Sequence, residues 1–132
     1  MAYRYNPESK VPAAFWLGLD ESERIRMVED YHRRAGIKLP NRRVHAALHA
    51  IVETQVAMGD ETEAQATLTR LLSEGLDRHD AIHAIGDVLA EHMHHLQKGQ
   101  EAGNPNETYS KSLRHLTARK WLEKWKPPNP SS

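Results

Sequence analysis

Residues 45–53 read HAALHAIVE and residues 79–87 read HDAIHAIGD; laid over each other they agree at the first, third, fifth, sixth and seventh positions, with a carboxylate at both ninth positions. His45, His49 and Glu53 fall at i, i+4 and i+8, and so do His79, His83 and Asp87. Side chains four apart stack along a helix with Cβ atoms about 6 Å apart, so each stretch builds a ladder of ligand-type groups on one flank. The apolar residues make both stretches helical: Val44, Leu48, Ile51 and Val52 in the first, and Ile82, Ile85, Leu89, Met93 and Leu96 through the second, recur at the helical period. Each ladder lies beside its apolar stripe and so borders the core.

Outward from the ladders, the punctuation is that of helices. Asn41 reads as the N-cap of the first ladder helix, which ends by Gly59, and Asp77 caps the second, which runs towards Gly99. Upstream, Asp20 with Glu23 gives a capping-box start, and Ile25, Met27, Val28 and Tyr31 carry a helix to about Gly36. Between the ladders, Asp60 with Glu63 and the stripe Leu68, Leu71 and Leu72 predict a connecting helix that stops at Gly75. After a polar loop from Gly99 to Asn106, Tyr109, Leu113, Leu116, Trp121 and Leu122 predict one last helix ending before Pro127-Pro128. No segment alternates with period two. The expected fold is all-α: a single-domain bundle of about five helices over residues 20–126, with an irregular aromatic arm over 1–19 and a flexible tail over 127–132. The rings of the arm are expected to pack on the body without taking part in chemistry.

Composition narrows the chemistry. A chain of 132 residues is long enough to bury a real core. It has no cysteine, which excludes disulfides, thiolate metal sites and cysteine nucleophiles and leaves histidine and carboxylate as the strong ligands. Eighteen Lys and Arg balance eighteen Asp and Glu, so no overall field draws the chain to nucleic acid or an anionic membrane. The start lacks a signal-peptide pattern and no apolar run approaches a membrane span, so a cytoplasmic protein without membrane contact is expected. Nine histidines are many for this length, and five of them fall between 79 and 95.

If the ladder helices run antiparallel, their flanks face one groove; if parallel, the ladders meet only by pointing across the interface. The sequence allows either. His45, His49, Glu53, His79, His83 and Asp87 would suit one or two divalent ions, iron, zinc or manganese, with Glu53 or Asp87 bridging a pair. Glu91, one further turn along, is the candidate acid/base. Open coordination positions on such an ion would permit metal-assisted hydrolysis or oxygen chemistry without requiring either, and would admit a small-molecule ligand. The competing reading is structural: His45 and His79 pack at helix starts, and Glu53 and Asp87 cap a helix or pair with Arg or Lys.

The remaining candidates carry less. Glu91-His92-x-His94-His95 offers a second cluster, but consecutive histidines splay around a helix, and His32 and His115 stand alone as surface or core-edge residues. The alternative function is an interaction module. Arg119, Lys120, Lys124 and Lys126 interleave with Trp121 and Trp125, and with the basic run Arg33, Arg34, Lys38, Arg42 and Arg43 they could engage a partner protein or, less favoured, nucleic acid. A homodimer that completes the site stays open.

The words H-x-x-x-H-x-x-x-E-x-Q (His45, His49, Glu53, Gln55) and G-L-D-R-H-x-A-I-H-A-I-G (Gly75 to Gly86), within a run from WLGLDESERI to LTARKWLEKW, resemble a family of small bacterial proteins of unknown function. That resemblance covers most of the chain and implies a bacterial helical domain, with no reaction attached. In ligand chemistry the ladders resemble the dimetal sites of hemerythrin-like and helical-repeat hydroxylase proteins by analogy only, since the spacing departs from both. Neither ladder carries the E-x-x-H pattern of ferritin-like bundles.

Overall fold

The computed structural model describes residues 3–37, 41–99 and 104–125. Among these residues it is all-α: α1 (Ala13–Leu17), α2 (Glu21–Arg34), α3 (Arg42–Ala57), α4 (Ala64–Ser73), α5 (Arg78–Gln97), α6 (Pro105–His115) and α7 (Ala118–Trp125), with a 3-10 turn at Gly59–Glu61 and no strand. The expected tail over 127–132 lies outside the described residues.

Local chemistry explains the helix starts. The Asp20 carboxylate accepts from the Glu23 amide while the Glu23 side chain accepts from the Asp20 amide, a complete capping box. Asn41 accepts from the Val44 amide and Asp77 from the Asp80 amide, each satisfying an orphan donor in the first turn of a ladder helix.

Three details differ from the sequence expectation. The N-terminal arm contains a helix, α1, whose Trp16 is fully buried and donates to Thr54 Oγ1 at 3.1 Å. Asp60 does not cap α4. Gly59, at φ 64°, turns the chain into the 3-10 segment, and Thr62 takes the capping role, its hydroxyl accepting from the Ala64 amide and donating to the Gln55 carbonyl. The last helix is two helices: Leu116 is extended (ψ 133°), and Thr117 Oγ1 accepts from the Lys120 amide at 3.1 Å to start α7. A hydroxyl that caps a new start competes with continuation of the old helix.

Two apolar clusters hold the bundle. Val52, Leu71, Ile82, Ile85, Leu113 and Trp121 belong to the larger, which joins α3 to α7. Tyr5, Val11, Trp16, Val28, Ala46 and Ala50 form the other, between the arm, α1, α2 and α3. Each fully buried Ile, Leu or Val contributes roughly 1.5–3 kcal/mol. Helix α3 serves both clusters, with small Ala46 and Ala50 in one and Val52 and Val56 in the other. Its histidines look onto the seam between them. No described helix is long and apolar enough to cross a membrane.

Candidate metal centre

Helices α3 and α5 are antiparallel. The His45 ring lies 4.9 Å from that of His83, the His49 ring 5.3 Å from that of His79, and Glu53 meets Arg78. One index rises as the other falls, which settles where the rungs go. Once the imidazoles face each other, the ninth position of each ladder passes beyond the first position of its partner, and the two carboxylates end up at opposite ends of a histidine centre.

The structure thus brings four of the six predicted ligands together and adds a fifth imidazole. His32, on α2, lies 4.9 Å from His45 and 5.3 Å from His49, ring to ring. Ligand atoms of His32, His45, His49 and His83 all lie within 4.8 Å of one another. His79 stands beside this group, its ring 4.3 Å from that of His83. His32 follows Val28 by four residues and so sits in the apolar stripe of α2, the one sequence signal that it is buried.

The hydrogen bonds in the centre are incomplete. His32 Nδ1 lies 2.8 Å from the Val28 carbonyl, an arrangement in which Nδ1–H donates and Nε2 keeps its lone pair. His32 Nε2, both ring nitrogens of His49 and Nε2 of His79 are buried without a hydrogen-bond partner among the described residues. His32 and His49 are each only 3% exposed. His45 Nε2 and His83 Nε2 approach to 3.2 Å, so their lone pairs either share one proton or point at a common third atom. Buried polar atoms are nearly always paired, and several orphans in one place indicate a missing partner.

Burial favours the neutral form of His45, His49, His79 and His83. Burial pushes the His45 imidazolium pKa down to about 4 and that of His83 to about 3, and each proton is further opposed by neighbouring imidazoles. Burial also holds His49 well below the ordinary histidine value and lowers His79. Neutral imidazole is the form that donates a lone pair.

The carboxylates are occupied elsewhere. Glu53, 1% exposed, is held by both Arg78 terminal nitrogens at 2.8 Å, and Tyr5 donates to its Oε2 at 2.5 Å. The same Arg78 donates to the Pro7 carbonyl at 2.9 Å, and Glu8 accepts from the His79 amide, so the arm is tied over this end of the centre. Tyr5 and Tyr31 stand nearly perpendicular to the rings of His49 and His79. The arm therefore packs on the body beside the candidate site, and neither Tyr5 nor Arg78 stood out in the sequence. Arg78 had a signal: it immediately precedes the first rung of the second ladder, where the end of an antiparallel partner must arrive.

At the other end, Asp87 Oδ2 accepts from the Trp121 indole at 2.8 Å, and burial raises its pKa despite that bond. Asp87 also lines a cavity of about 30 Å³ with His45, Leu48, His49, Ile82, His83 and Gly86. Glu91 is exposed and pairs with Lys124 at 3.3 Å. His92 stacks on Tyr109, and His115 is exposed with Nδ1 on the Lys111 carbonyl. Trp121 is buried in the larger apolar cluster, so its ring is not a surface on which a base could stack.

No curated protein and no solved structure matches this chain. Residues 18–115, well over half of its length and including all five clustered histidines, match one family, and the chain belongs to that family, described as Domain of unknown function (DUF1841).

Proposed function

We propose that this protein binds one divalent transition-metal ion through His32, His45, His49 and His83, with His79 as the adjacent fifth imidazole. The observation that carries the reading is the set of orphaned ring nitrogens on His32, His49 and His79, buried where ligand atoms of four histidines converge. Neighbouring nitrogens bound to one ion at about 2.0–2.1 Å stand roughly 3–3.5 Å apart. The His45–His83 pair already stands at 3.2 Å, and the remaining ligand atoms need only small side-chain movements. His32 also has the outer bond usual for a ligating histidine, its far nitrogen on a backbone carbonyl.

The donor set bears on the ion. With Glu53 paired to Arg78, the inner ligands are imidazoles, which favours zinc, copper, nickel or iron over manganese. Two carboxylates at opposite ends of the centre give little support to a bridged pair, so the proposal is a single ion. His45, His49 and His83, held neutral by burial, lose no proton on binding near neutral pH, and affinity should fall as the medium turns acidic.

The test is elemental analysis and zinc or copper titration of protein purified without an affinity tag, beside the His49→Ala/His83→Ala double variant and His32→Ala. About one equivalent in the wild type, lost in the double variant and weakened at least tenfold in His32→Ala, is expected. Wild-type protein that takes up no more metal than the double variant would refute the reading.

A further inference from the structure

The small cavity beside the imidazoles is lined by Gly86, which lies in the middle of α5 with an ordinary helical backbone. Glycine inside a helix costs about 1 kcal/mol relative to alanine, so it needs a reason. Close packing is not that reason. A Cβ built on Gly86 would meet no neighbouring atom closer than Val52 Cγ2 at 3.9 Å, an ordinary contact. What the missing methyl leaves open is the cavity. Its volume of about 30 Å³ exceeds the roughly 10–15 Å³ a cavity needs to hold a water molecule, and its walls combine three imidazoles with Asp87.

We propose that this cavity holds a single exchangeable water or hydroxide as a fifth ligand of the metal, beside the four imidazoles and hydrogen-bonded to Asp87, and that Gly86 is present to leave room for it. The inference rests on the metal reading above. Charge supports it: an ion held by neutral imidazoles keeps its full double charge, which lowers the pKa of a bound water towards neutrality. The bordering Asp87 carboxylate can accept that water's hydrogen bond while the Trp121 indole fixes its Oδ2. The walls otherwise come from Leu48, Ile82 and the Gly86 backbone, and the space admits a water molecule.

The experiment uses the full chain loaded with copper, its electron paramagnetic resonance spectrum recorded in ordinary water and in water enriched in oxygen-17. A directly bound water broadens the copper lines. Broadening is expected in the wild type and is expected to vanish in Gly86→Ala, with copper stoichiometry and nitrogen hyperfine pattern retained. The thermal midpoint of metal-free Gly86→Ala should equal or exceed that of the wild type. Unbroadened lines in the wild type, equal broadening in the variant, or a lowered midpoint of the metal-free variant would each overturn the proposal. A wild type that takes up no copper would instead overturn the metal reading, and this inference with it.

Discussion

Two buried polar regions lie next to each other along α3, and they are built on opposite plans. At Glu53 every charged group has its partner inside the chain: a two-pronged Arg78, a tyrosine hydroxyl and a carbonyl of the arm. One turn earlier, around His49, the groups are all imidazoles, and both His49 nitrogens with Nε2 of His32 and of His79 have no hydrogen-bond partner among the described residues. The first region is complete as folded; the second is a group of histidines that could hold a metal ion. A buried acid or base near a metal-type motif is therefore not to be assigned from spacing alone, because what distinguishes a ligand from a strut is whether its lone pairs are already used.

The comparison is broken most forcefully at the closed end. Glu53→Ala would leave the Arg78 guanidinium buried without its counter-ion, and urea denaturation should register a loss of about 3–5 kcal/mol. If Glu53 is a strut, a Glu53→Gln variant that still folds should keep its metal equivalent. Loss of metal at unchanged stability would place the carboxylate among the ligands instead.

The open end should respond to ligand concentration. Free metal at a hundredfold excess over its dissociation constant stabilises the native state by about 2.7 kcal/mol, and chelation should remove that increment in a thermal scan. His49→Ala/His83→Ala protein should melt at a temperature that chelator does not change.

Acid sharpens the contrast in the metal-free protein. Unfolded histidines titrate near 6.5, whereas His45 and His83 in the fold do so near 4 and 3 because burial disfavours their cationic forms. Above pH 6.5 these groups therefore contribute nothing to the pH dependence. Below it the unfolded chain takes up protons that the native chain refuses, so stability should fall steadily from about pH 6.5 to pH 4. Denaturant midpoints across that range should fall less in the His49→Ala/His83→Ala variant.

The smallest effect is expected at Glu91, where the exposed pair with Lys124 is worth about 0–1 kcal/mol. Glu91→Gln should leave metal content unchanged. A clear loss of bound metal would return this residue to the site.

The sequence by itself determined the helices and the histidines. Periodic apolar residues, Asp20, Asn41 and Asp77 as caps, and glycines at helix ends are local signals, and local hydrogen bonds answer them in the fold. The repeated HxxxH picks out four of the five clustered imidazoles, because stacking at i and i+4 is a property of one helix alone. Only the tertiary structure decided the rest. The direction of α5 against α3 brings Arg78 to Glu53 and sets Asp87 beyond His45, a choice made by which apolar faces must be buried together. The packing of α2 brings in His32, and the arm brings the Tyr5 hydroxyl and the Pro7 carbonyl to the Glu53–Arg78 pair, which needs polar partners once water is gone. Spacing along a chain fixes neighbours on one helix, whereas the partner of a buried charge depends on what arrives from elsewhere.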